Sequence, residues 1–180
     1  NCSIISKGRR DQLIKDTEIM RNDDFISKNK KTIEFNYSKS TYFSEEKNEI
    51  FRYLESNEKY LAELNLNLIK YFCERLNINT KIIRSSELNG AGTKARLLCS
   101  LCKELNAKNY ISPPGSRDYL EKSDCFKMEG ISIKYFRFNH PIYKQIWGDF
   151  LPNMSILDML FNCGDETIQL VKSNYQLLKS

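Results

Sequence analysis

Histidine, glycine and proline are scarce in this 180-residue sequence, which holds one histidine, seven glycines and four prolines. So few turn formers argue against an all-β sandwich, which needs many tight turns. No apolar run approaches the length of a membrane span. The opening Asn1-Cys2-Ser3-Ile4-Ile5-Ser6-Lys7 lacks the long apolar stretch of a signal peptide. A sustained basic stripe with interleaved aromatics is also missing. The formal net charge of +5 is spread among alternating acids and bases, with Lys28, Lys30 and Lys31 as the one short cluster. A solvated face accounts for this pattern, and nucleic-acid binding is not expected.

What is present is globular composition, 41% hydrophobic and 12% aromatic. The length suits one domain, so residues 1–180 are expected to form a single α/β domain. Its first 44 residues form a polar, partly irregular segment, with Asp23-Asp24 and Lys28 to Lys31 marking solvated turns or frayed helix. The six cysteines are scattered and read as reduced thiols, pointing to the cytoplasm.

Helical periodicity begins at Ser44, an expected N-cap followed by Glu45 and Glu46, with Ile50, Phe51 and Leu54 on one stripe. Asn57 is the expected cap of a second helix, on which Leu61, Leu64, Leu68, Phe72 and Leu76 recur. Asn77 suits the left-handed position after it, with Ile78 folding back. A third helix spans Thr93 to Leu105 and ends at Asn106. Later, Ser155 and Asp158 have the spacing of a capping box. Gly164 closes that helix, and Ile168, Leu170, Val171, Tyr175 and Leu178 mark the buried side of the last one.

Short apolar runs at 81–84, 109–112 and 131–136 read as strands separated by helix-length segments. That spacing predicts a small parallel sheet with βαβ crossovers, flanked by helices and missing its N-terminal strands.

Two familiar patterns do not hold. Gly90-x-Gly92-x-x-Ala95 has dinucleotide-site spacing, but it lies far beyond the preceding strand, and no acid ends the next one. Cys99-x-x-Cys102 sits inside a helix, away from the histidine, where zinc would want four convergent ligands. Neither a metal nor a cofactor is expected.

The strand ends are more promising, because open parallel sheets bind ligands beyond their carboxyl edges. Those ends carry Ser85; then Ser112, Gly115, Ser116 and Arg117; then His140. A turn at Gly115-Ser116 entering a helix would offer backbone N–H groups to an anion, and Arg117 a charged partner. The alternative is that Gly115 and Ser116 only turn and cap the chain. Imidazole is the side chain that exchanges its proton near neutrality, so His140 is the candidate catalytic group. Asp158 and Asn162 share a helical face, with Asp158 either a cap or part of a site. Trp147 is expected to pack its loop down.

Several stretches together resemble the WbqC-like family. They include Asn36-Tyr37 with Tyr42-Phe43, Tyr110 to Ser116 with Tyr119-Leu120, His140-Pro141-x-Tyr143-x-Gln145, Phe150-x-Pro152 and Ser155 to Gly164. Glu63-Leu64-Asn65 and Ile83 to Leu88 are similar too, so the resemblance runs over residues 28–165. The family's usual opening strand and Gln-Pro-aromatic segment are not found, so the resemblance implies the C-terminal part of a longer protein. It also implies a role in bacterial surface polysaccharide (O-antigen) biosynthesis. Two readings follow. One is a transferase-type step on an anionic substrate such as a nucleotide-linked sugar, with Ser85, Ser112, Gly115, Ser116 and Arg117 binding it and His140 catalytic. The other is a non-catalytic scaffold for a polysaccharide-assembly enzyme. An enzyme should show convergent buried polar groups, and a scaffold an exposed apolar patch.

Overall fold

Asn77 and Asn106 do adopt the left-handed conformation expected of them, with φ of 52° and 53°. In the computed structural model, which describes residues 2–20 and 24–179, each closes a helix through a six-to-one bond. Ile78 N donates to Cys73 O, and Ala107 N donates to Cys102 O, both at 2.8 Å. The described chain divides into two compact units, one of residues 1–80 and 142–170, the other of 81–141 and 171–180.

The first unit is helical. Helix α1 (Phe25–Tyr37) lies within the segment expected to be partly irregular, and Asp23 falls outside the described residues. Helix α2 spans Phe43–Leu54 and α3 spans Leu61–Arg75; each departs from its expected start. Tyr42, not Ser44, precedes α2. Tyr60, not Asn57, precedes α3, because Leu61 N is already bonded to Thr17 O at 2.9 Å. Phe43, Ile50 and Phe51 of α2 pack with Phe161 of α7 (Ile156–Cys163). Ile19, Phe25 and Leu64 form a second cluster, held by short extended pairings of residues 2–20. At the other end of α3, Arg75 forks between buried Glu46 and exposed Asp165. Gly164 ends α7 at φ +53°, and a side chain there would meet the Tyr42 ring at 2.7 Å.

The second unit holds the sheet. Strands β1 (Asn109–Ser112) and β2 (Ser132–Phe138) pair in parallel, with the short helices α5 (Arg117–Glu121) and α6 (Cys125–Met128) between them. Helix α4 (Lys94–Glu104) packs with them, burying Ala95, Cys99, Leu120, Phe126 and Tyr135.

Two expectations are corrected here. Lys81 to Arg84 forms no ladder; Ile82 is exposed and a 3-10 turn follows at Ser85–Glu87. A four-residue apolar run does not distinguish a paired strand from an extended connection. The sheet is also mixed, not parallel. Helix α8 (Glu166–Ser173) stops early, and Tyr175–Lys179 forms β3, antiparallel to β2. The apolar spacing that suggested one long helix thus belongs to two elements. Alternation puts Tyr110, Ser112 and Tyr135 on the helix-covered face. The opposite face presents Ile111, Phe136, Tyr175 and Leu177 to solvent.

Candidate functional site

The strand-end group is built largely for its own support. Ser116 Oγ donates to Pro113 O at 2.6 Å, which uses its only hydrogen. Ser112 Oγ, 2.6 Å from Ser116 Oγ, is therefore the donor of that pair. Both serines are buried, and Ser116 makes no side-chain cap to α5. The Ser116 N–H is taken by Pro113 O, and the Arg117 N–H by Pro114 O. Gly115 is exposed. The Arg117 guanidinium lies 4.4 Å from the centroid of the Tyr135 ring and 3.3 Å from Glu121. Tyr135 is fully buried, and its hydroxyl makes no hydrogen bond among the described residues.

Ser85 lies exposed on its 3-10 turn. His140 is half-buried, edge-on to Phe138 at 4.9 Å, with an unpartnered, buried Nδ1. Among the described residues, no hydrogen bond, ion pair or ring contact ties Ser85 or His140 to Ser112, Ser116 or Arg117. The structure brings together Ser112 and Ser116, with Arg117 beside them over Tyr135, the ladder partner of Ser112.

Polar groups converge more strongly in the first unit. Ser155 caps α7 alone, its Oγ accepting from Leu157 N at 3.3 Å. Asp158 is thereby not needed as a cap, and it turns inward with only 4% of its surface exposed. Its Oδ2 accepts the Tyr143 hydroxyl at 2.6 Å and Gln145 Nε2 at 2.8 Å. Gln145 also brackets Leu151, accepting its N–H at 2.8 Å and donating to its carbonyl at 3.0 Å. The loop is thus folded onto the carboxylate by one amide. Asn162 donates to Asp158 O at 2.8 Å, an i to i−4 bond on the helix itself.

This group floors a cleft of about 420 Å³. Its walls include Tyr37, Phe35, Trp147, Leu151 and Met154. Trp147 does pin its loop, with Nε1 donating to Asn36 O at 2.7 Å, yet the residue stays 53% exposed. Lys39 lies 5.4 Å from that ring's centroid but does not line the cleft. Burial, then Asp158, pushes the Tyr37 phenol up to about 12. Burial, then the hydrogen bond to Asp158, raises Tyr143 further. Both phenols hold their protons near neutrality and act as hydrogen-bond donors, not bases. Oδ2 already accepts twice, which leaves Oδ1 as the oxygen with capacity to spare.

The two discounted patterns are structural. A side chain at Gly90 would meet Leu101 Cδ2 at 2.6 Å, and Ala91 N donates to Ser100 Oγ at 2.9 Å. The glycine loop is therefore laced along α4. Cys99 and Cys102 are buried, burial being the main reason the Cys99 thiol rises to about 11. Among the described residues no cluster of three or more acidic, thiol or imidazole groups is placed to hold a metal. No helix among them is long and apolar enough to cross a membrane.

Fold and cleft together define a small mixed α/β protein with a ligand-sized aromatic recess over a buried acid. The family model of the WbqC-like proteins matches residues 2–170, and the chain belongs to that family. The match takes in residues 2–27, where the sequence offered no motif. An uncharacterized protein of Mycobacterium tuberculosis is 41% identical over 61 residues, 33% of this chain and 26% of that protein. The chain thus spans about a quarter of that relative's length. No solved structure matches. Of the stretches that carried the resemblance, Asn36, Tyr37, Gln145 and Asp158 line the cleft, and Tyr143 supports it through its bond to Asp158.

Proposed function

We propose that this WbqC-like chain binds a sugar in the cleft over Asp158, as part of a transferase-type step in bacterial surface polysaccharide biosynthesis. The observation that carries the reading is a buried carboxylate, ringed by a phenol and an amide, at the base of a recess with an exposed indole. Sugars present hydroxyls on their edges and C–H groups on their faces. A carboxylate and an amide suit the first, and an aromatic wall suits the second. Titration calorimetry with nucleotide-linked and free sugars tests it. Saturable binding whose affinity falls at least about tenfold in Trp147→Ala, a loss of ~1.4 kcal/mol, supports the sugar cleft. An unchanged affinity in that variant refutes it.

The strand-end residues of the second unit enter as a separate proposal. Gly115 and Arg117, with Ser85, Ser112 and Ser116 around the turn, would contact the anionic part of a substrate, and His140 would carry a proton. The exposed half of the Arg117 side chain supports it.

The scaffold reading rests on the open sheet face, where Ile111, Phe136, Tyr175 and Leu177 are each more than a third exposed. Exposed apolar surface of this kind favours a protein partner. Cross-linking at Leu177 to a polysaccharide-assembly enzyme, without any sugar binding, would favour it over the cleft.

A further inference from the structure

The cleft is unusual in its charge. None of its lining residues is lysine, arginine or histidine, whereas its floor is the Asp158 carboxylate. That carboxylate is 4% exposed, and among the described residues it has no cationic partner. Its donors are all neutral: the Tyr143 hydroxyl and the Gln145 amide converge on one oxygen, and the Tyr37 phenol also bonds the carboxylate. Buried carboxylates are ordinarily paired, because neutral donors offset only part of the desolvation cost. The walls are aromatic and electron-rich, with Trp147 and Phe35 exposed and Tyr37 beside the acid. An aromatic recess ending in an unpaired carboxylate has the chemistry of an ammonium site. The carboxylate supplies the counter-charge, and the ring faces supply cation–π attraction. A phosphate or carboxylate ligand would instead meet a like charge with no cation lining the recess.

We infer that the cleft selects a protonated amine, so that the sugar it takes is an amino sugar with a free ammonium group and not the anionic portion of a nucleotide-linked donor. The identification of the amine's carrier as a sugar rests on the proposed function above; the ammonium selectivity does not. In the bound state the ammonium lies against Asp158, with Oδ1 as acceptor, and the remainder of the ligand rests on Trp147.

The test uses the whole chain and the indole N–H resonance of its single tryptophan as reporter. Benzylamine, benzyl alcohol and benzoate share one ring and differ in charge at the tip, so they isolate the selectivity from sugar stereochemistry. Benzylamine is expected to bind at least tenfold more tightly than the alcohol, and benzoate not at all. In Asp158→Asn, which retains an acceptor for Tyr143 and Gln145, the amine and the alcohol should bind alike. Should that variant fail to fold, Trp147→Leu at the exposed wall, followed by titration calorimetry because it lacks the reporter indole, provides a second check, weakening the amine severalfold with the fold intact. Alcohol or benzoate binding as tightly as the amine overturns the inference, as does an amine preference that survives in Asp158→Asn, or no binding by any of the three. A parallel arm uses methyl glycosides of glucosamine, N-acetylglucosamine and glucose. Benzylamine selectivity with no glycoside binding upholds the ammonium site and removes support for the sugar. Equal glycoside binding without benzylamine selectivity upholds the sugar cleft and overturns the ammonium site.

Discussion

The Ser112–Ser116 pair and the Asp158 group are both buried polar clusters, and they end in opposite conditions. The serine hydroxyls form a closed chain, Ser112 to Ser116 to the Pro113 carbonyl, inside one turn of backbone. Their hydrogens are spent, and what they achieve is a fixed exit from β1 into α5. Asp158 collects donors from a loop 13 and 15 residues away in sequence, yet it retains acceptor capacity and an unbalanced charge beside an open recess. A saturated cluster supports the fold; an unsaturated one costs stability that a ligand can return.

The largest expected effect tests the second half of that contrast. Asp158→Ala strips the acceptor from Tyr143 and Gln145 and releases the loop that Gln145 brackets. It should lower unfolding stability by ~2–4 kcal/mol in urea, whereas Asp158→Asn, keeping an acceptor, should cost less than half as much. If alanine proves harmless, the carboxylate is an unpaired burden and does not organise its loop.

Next in size is a test that would break the contrast from the other side. If the turn after β1 binds an anion despite its spent hydroxyls, Arg117→Ala should weaken nucleotide-sugar binding by ~1.5–3 kcal/mol, the worth of a charged hydrogen bond. Calorimetry showing no change would leave Arg117 as a lid on Tyr135. Ser116→Ala follows at ~1–2 kcal/mol of stability, because it takes the acceptor from Ser112 and one of two donors from the Pro113 carbonyl, which keeps the backbone N–H of residue 116. Ser112→Ala should cost about half that, since Ser116 keeps its bond to Pro113. Thermal melts of the two variants decide whether the closed chain is polarised in that order.

Much of this architecture was legible because local signals act locally. Leu61 to Leu76 and Leu97 to Leu105 announce helices by period, and Asn77 and Asn106 end them by tolerating the left-handed region. What eluded the sequence is decided by partners far along the chain. Nothing in Lys81 to Arg84 says that no neighbouring strand will meet it. Nothing in Tyr175 to Leu178 says that β2 will, although Ser173-Asn174 just before it is a poor helix continuation and could have signalled the break. The site followed the same rule. Tyr37, Tyr143, Gln145 and Asp158 were each visible as motif residues, but the shared carboxylate that unites them appears only once the loop folds back on α7. Asp158 was ambiguous at Ser155-x-x-Asp158 because a cap and a buried acid share that spacing; the cap is made by Ser155 alone.

The smallest effect probes the same carboxylate through its neighbour. Tyr37 is raised from 10.0 to about 12, by burial first and Asp158 second. Between those values the unfolded chain has lost the phenolic proton while the folded chain keeps it. The stabilisation is therefore complete below pH 10 and is lost as pH climbs towards 12. With part of the phenol in solvent, the loss should be slight and blunted by salt. An ultraviolet difference titration of the protein against Tyr37→Phe isolates this one tyrosine from the other nine. In Asp158→Asn its ionisation should move down but stay above 10, because burial, the larger cause, persists. If the midpoint does not move, Asp158 is not coupled to Tyr37, and burial alone holds the phenol up.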